Sequence, residues 1–221
     1  MDNIHQKITL LEAVKDKNKV HISTMSGKLD GLKAINTNTV SNPFCQKMYH
    51  SGKDDNICTK CYSNKMLRTY RKNNQPAFQR NTDLLSKPVS DAILKATRIM
   101  DSFLRINAHG ELINEQHLAN IVRLAELKPY CNVALWTKRA DIVRKYFDKH
   151  DKPSNLILIF SNSLIGNILK KPPRHFDKTF NNVPAFEHKD KQNCTGQQCA
   201  DCLLCYQHNG IDTIVEKVKK Y

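Results

Sequence analysis

Residues 103–137, "FLRINAHGELINEQHLANIVRLAELKPYCNVALWT", carry an apolar strand, an amphipathic helix and a second apolar strand in one continuous run. "FLRINAHG" is short and closed by glycine, as expected of a strand that ends in a turn. In "NEQHLANIVRLAEL" the residues Leu118, Ile121, Val122 and Ala125 fall on one stripe at helical spacing, and Pro129 stops the helix. "CNVALWT" supplies the next strand and "ADIVRKYFDK" the next helix. Strands alternating with helices in this way feed a largely parallel sheet, because a parallel neighbour is reached only through a crossover.

The pattern extends on both sides. Downstream, "NLILIFS" is apolar throughout, the composition of a strand buried on both faces. "NVPAFEH" reads as one more strand, placed at an edge by Pro184. Between them "LKKPPRHFDKTFNN" reads as a loop by its Pro and Asn content. Upstream, "QPAFQRNTDLLSK" opens a helix with Pro76 in its first turn, and "SDAILKATRIMDSF" continues with Ser90 as N-cap. Four or five strands are expected, within one α/β domain spanning 1–221.

The 221 residues contain no apolar run near the roughly 18 needed to cross a membrane, and the first twenty lack a signal-peptide layout. A cytoplasmic protein without membrane association is expected. In a reducing compartment, clustered members of the eight cysteines are more readily metal ligands than disulfides. With 35 Lys+Arg against 21 Asp+Glu, the net charge of +14 points to nucleic acid or another polyanion as partner. Lysine- and asparagine-rich coding gives the same charge without any such partner.

Two cysteine groups carry the chemistry. "CTGQQCADCLLC" places Cys194, Cys199, Cys202 and Cys205 in twelve residues of a polar segment that offers thiols little hydrophobic work. So tight a run resembles the wrapping of an iron–sulfur cluster, with structural zinc as the alternative. Upstream, "FCQKMYHSGKDDNICTKCYSNK" supplies Cys45, Cys58 and Cys61, with His50 available as a fourth ligand. A fourth ligand makes that site closed and structural; three thiols leave one iron of a [4Fe–4S] cluster open. The two groups could also share one metal site. Cys131 opens an apolar strand and reads as a small buried hydrophobe.

Other residues have two readings each. His109 and Glu111 stand at the carboxyl end of an expected strand, where α/β folds place ligands, although polar residues around a glycine are also ordinary loop chemistry. Trp136 could stack on a base, or simply fill the core. Tyr70 within the basic run "KMLRTYRKNN" could track a nucleic acid strand, or the run could be a solvated helix face. There is no Gly-rich phosphate loop, nucleophile elbow or His-Glu-x-x-His motif.

"CTKCYSNKMLRTYRKNNQPAFQRN", the stretch from "LRINAHGEL" to "TKRADIVRKY" and the closing cysteine cluster together resemble the phage gene-product-88 family, over residues 30–206. That resemblance implies a phage or prophage origin, hence the host cytoplasm, and brings no established reaction. More distantly, the chain is similar to the radical S-adenosylmethionine enzymes. Their partial (β/α) barrel carries three cluster cysteines after the first strand, an aromatic after the third cysteine, and a Gly-Gly-Glu turn ending the second strand. On that similarity Cys58, Cys61 and Tyr62 match the end of the cluster loop, and "HGEL" matches the turn, with Gly110 and Glu111 placed at the methionine amino group. The chain departs by a twelve-residue gap between Cys45 and Cys58 and by His109 in place of the first glycine.

The similarity implies a partial (β/α) barrel over 30–190, with the cysteine loop of 191–208 packed on it. Two functions follow. One is an iron–sulfur enzyme using S-adenosylmethionine on nucleic acid or a nucleotide. The other is a degenerate barrel, stapled by zinc or iron–sulfur, that binds nucleic acid or a nucleoprotein.

Overall fold

The computed structural model describes residues 19–218, so the two ends of the expected 1–221 domain lie outside the described residues. Seven strands form one sheet and follow one another across it in chain order: β1 (Ile22–Thr24), β2 (Lys33–Ile35), β3 (Phe103–Ile106), β4 (Asn132–Thr137), β5 (Leu156–Ile165), β6 (Lys178–Val183) and β7 (Thr213–Lys217). β1 is antiparallel to β2, and every later neighbour is parallel. The helices are α1 (Pro43–Tyr49), α2 (Tyr62–Arg68), α3 (Gln75–Leu85), α4 (Asp91–Ala96), α5 (Glu115–Leu127) and α6 (Ala140–Phe147), with a single turn at Cys199–Cys202.

Sequential parallel order has a steric consequence. Each right-handed crossover steps in the same direction, so successive helices land on the same face. The side chains obey it. Val133 and Leu135 of β4, with Leu156 and Leu158 of β5, share one core with Leu118 and Ile121 of α5 and Val143 and Phe147 of α6. Their alternates Ala134, Trp136, Ile157 and Ile159 face the other way, onto Leu32 and Tyr206. One face therefore carries helices and the other is covered by the C-terminal segment. The stripe read from α5 lies in the core, where each fully buried aliphatic contributes roughly 1.5–3 kcal/mol. Among the described residues no pairing joins β7 to β1, so the sheet is open and mixed. No helix there is long and apolar enough to cross a membrane.

Several elements differ from expectation. The strand sought in "NVPAFEH" ends before Pro184, and β6 instead comes from the stretch read as a loop. Asn181 fits inside that strand because its amide is satisfied there. Asn181 Nδ2 donates to the Ile214 carbonyl at 3.2 Å, and its Oδ1 accepts from Asn162 Nδ2 at 3.1 Å. α4 is shorter than read, since Thr97 leaves the helical region at φ −65°, ψ 108°. β1, β2 and β7 are three to five residues long, too short for their periodicity to be read. Cys131 is buried, as expected.

Candidate functional site

Open α/β sheets bind ligands at the carboxyl ends of their parallel strands, and the loops there meet around one cavity of about 450 Å³. The loop after β2 brings Cys45, Cys58, Cys61 and Tyr62 to its wall; the turn after β3 brings Gly110 and Glu111; the residue after β4 brings Lys138. All were singled out in the sequence except Lys138, whose position just past an apolar strand is the signal that marked Glu111.

Local caps fix the cysteines. Asn42 caps α1, its Oδ1 accepting from the Cys45 N–H at 3.1 Å while its Nδ2 donates to the Glu111 carbonyl at 3.2 Å. Asn56 does the same for Cys58, accepting from its N–H at 3.0 Å, and bridges to Leu164 on β5. The Cys61 N–H donates to the Cys58 carbonyl at 3.2 Å, and Cys61 caps α2. Tyr62, first in that helix, donates its hydroxyl to the Ala108 carbonyl, joining the cysteine loop to the turn after β3.

That turn explains why only one of its two positions needs glycine. Gly110 has φ +93°, and a Cβ there would lie 2.0 Å from Thr37 Oγ1 and 2.6 Å from the Thr37 carbonyl oxygen. His109 has room. Its ring packs on Tyr62 and Phe78, Nδ1 bonds the Ser63 hydroxyl at 2.8 Å, and burial pulls its pKa down to about 4, so it is neutral.

Glu111 is buried, and its carboxylate accepts from the Leu112 N–H at 2.8 Å, the Thr137 hydroxyl, and the Lys138 N–H at 2.8 Å. A carboxylate has about four acceptor positions, so one is left at the cavity. Burial raises its pKa, which Lys138 and these donors oppose. The Lys138 ammonium donates to Ser161 at 2.9 Å. Burial opposes its charge, but Cys58, Glu111, Cys61 and Cys45 outweigh that and raise its pKa. Burial also pushes the Cys45 and Cys58 thiols up, so both are protonated at neutral pH unless a cation joins them. His50 ends α1 exposed, its ring against Tyr49, away from the cavity wall.

The terminal cysteines form the opposite wall. Cys194, Cys199 and Cys205 line the same cavity, and with Cys202 they surround an adjoining chamber of about 20 Å³. Lys28 Nζ donates to Cys194 Sγ at 2.8 Å and to Glu216 Oε1 at 2.6 Å. Burial raises Cys194 and Cys199 and lifts Cys205 to about 12. The two cysteine groups thus face one space. Among the described residues, no three His, Cys, Asp or Glu side chains form a ready-made shell for a single ion. The donors are nonetheless soft thiols around one cavity, the ligand type that iron–sulfur or zinc chemistry uses. The chamber has room for about one water-sized occupant.

No curated protein and no solved structure matches the chain. The family model described as Gene product 88 matches residues 10–193, which takes in the upstream cysteines, Glu111 and Lys138 and stops just before Cys194. With most of its length inside that match, the chain belongs to the gene product 88 family.

Proposed function

We propose that this chain is an iron–sulfur enzyme of the radical S-adenosylmethionine type, of phage or prophage origin, acting on nucleic acid or a nucleotide. One observation carries the reading. Three cysteines after the first parallel strand, Gly110 and Glu111 after the second and Lys138 after the third meet around one cavity of about 450 Å³. This is the order in which the superfamily arranges cluster loop and methionine turn. Six sequential parallel strands with helices on one face support the partial-barrel form.

Cys45, Cys58 and Cys61 would hold a [4Fe–4S] cluster, whose open iron supplies an electron and a coordination position to S-adenosylmethionine. Lys138 offsets the charge of the three thiolates. Glu111 offers its remaining acceptor position to an ammonium, and Gly110 keeps the wall free of a side chain. Tyr62 holds the third cysteine against the turn. At the rim, Arg71 lines the cavity and the adjacent Tyr70 is 70% exposed, an arrangement suited to a phosphate and a stacked base. The four terminal cysteines would hold a second metal, and the small chamber favours a single zinc ion there over a second cluster.

A second reading, a metal-stapled nucleic-acid binder without catalysis, is favoured by the three internal hydrogen bonds of Glu111. One experiment separates the two. Protein purified without oxygen, reconstituted with iron and sulfide and reduced, should convert S-adenosylmethionine to 5′-deoxyadenosine. Glu111→Ala should weaken S-adenosylmethionine binding with the cluster retained. A fully loaded protein that forms no 5′-deoxyadenosine overturns the enzymatic reading.

A further inference from the structure

Arg105 sits in the middle of β3, on the face that bears no helices, and its guanidinium stacks on the Trp136 ring with Cζ 3.7 Å from the centroid. Among the described residues its Nε has no hydrogen-bond partner, and no carboxylate pairs with it. Trp136, 5% exposed, likewise leaves its Nε1–H without a partner. Both residues line the large cavity, with the Tyr206 hydroxyl beside the guanidinium. Neither lines the four-cysteine chamber.

Buried donors without acceptors are costly, and a buried guanidinium without a counter-charge is more so. The other cations of the cavity are paired or, like the exposed Lys60, open to solvent. Lys28 is paired with Glu216, Lys138 is faced by Glu111 and the thiols, and Arg71 bonds the Ser26 hydroxyl at 3.2 Å at the exposed rim. With Tyr206 beside one part of the guanidinium, the Arg105 Nε–H and the Trp136 Nε1–H are left as neighbouring donors without an acceptor. Stacking fixes the guanidinium plane and leaves its edge for bidentate bonding to an oxyanion.

We propose that the cavity between the two cysteine groups binds an oxyanion-bearing small molecule or nucleotide, its phosphate or carboxylate held by the Arg105 edge and the Trp136 Nε1–H. The proposed function enters only in calling that occupant the substrate. At about 450 Å³ the cavity is of the size that takes a small ligand or one extruded nucleotide.

Isothermal titration of the full chain as purified, without S-adenosylmethionine, tests this with inorganic phosphate, adenosine 5′-monophosphate and succinate as probes. Saturable binding is expected from the phosphate arm or the carboxylate arm, and the arm that binds identifies the group. Arg105→Gln should weaken it at least about tenfold, the scale of a lost charge-assisted bond, and Trp136→Phe should weaken it less. Metal content should stay unchanged in both. Arg105→Lys, which keeps the charge and loses the fork, serves if the glutamine variant does not fold. No saturable binding in either arm, or equal affinity in the Arg105 variants, overturns the inference. Loss of metal with probe affinity intact also overturns it, by assigning Arg105 to the terminal thiolates. Probe binding without 5′-deoxyadenosine formation would overturn the proposed reaction and leave this site standing.

Discussion

Replacing Gly110 by alanine strikes the turn that joins the cysteine loop to Glu111, and two separable costs can be worked out. At φ +93° an L-residue is strained, which costs on the order of 1–3 kcal/mol. The added Cβ would also meet Thr37 at 2.0 Å from Oγ1 and 2.6 Å from the carbonyl oxygen. The hydroxyl can rotate, but the carbonyl belongs to backbone that already accepts no slack, because the Thr37 N–H is bonded to the His109 carbonyl at 3.1 Å. Overpacking of this kind adds roughly 1–3 kcal/mol. Gly52 is the internal control. Its φ is +68° with nothing within 4 Å of an added Cβ, so Gly52→Ala carries strain alone. Urea unfolding of the two variants at constant m should therefore place Gly110→Ala below Gly52→Ala by about 1–3 kcal/mol. Equal midpoints would refute the claim that close approach to Thr37, and not φ alone, demands glycine there.

Serine at Cys194, Cys199, Cys202 or Cys205 should lower bound metal and melting temperature together, since ligation and folding share one free energy; full metal content in all four variants contradicts a shared site. His109 and the buried His117 are both held to about 4 by burial, against 6.5 unfolded. Because the unfolded chain takes up protons that the folded one refuses, stability should be level above about pH 6.5. It should fall as pH drops from there toward 4, by up to roughly 3 kcal/mol per histidine. His117→Leu should flatten that fall in pH-dependent urea titrations, and an unchanged slope would contradict the burial argument. Binding of single-stranded nucleic acid should weaken linearly in log affinity against log salt, and Arg71→Ala should shallow the slope by about one unit. No binding at low salt removes nucleic acid as partner.

The sequence disclosed the parallel sheet through long, well-patterned elements. The α5 stripe of Leu118, Ile121, Val122 and Ala125 and the apolar runs of β4 and β5 were legible because burial there repeats over many residues. β6 was hidden because Asn181 looks like a loop residue until Asn162, Leu169 and Ile214 supply its hydrogen bonds, and those partners are remote in sequence. The cysteines and Glu111 were legible as chemistry by type and spacing, but their meeting at one cavity depends on strand order. Lys138 and Arg105 went unread, although an arginine inside the apolar run "FLRI" is a local signal that could have been followed. His109 looked like a departure from a two-glycine turn; of those two positions, Gly110 has positive φ and His109 does not.

The most direct test of the open-iron claim is the electron paramagnetic resonance spectrum of the reduced, reconstituted chain with and without S-adenosylmethionine. Three protein thiolates leave one iron free, so a [4Fe–4S] signal that depends on Cys45, Cys58 and Cys61 should change shape when S-adenosylmethionine is added. A signal indifferent to S-adenosylmethionine, or zinc held stoichiometrically by those three cysteines and a fourth side chain, would contradict the account.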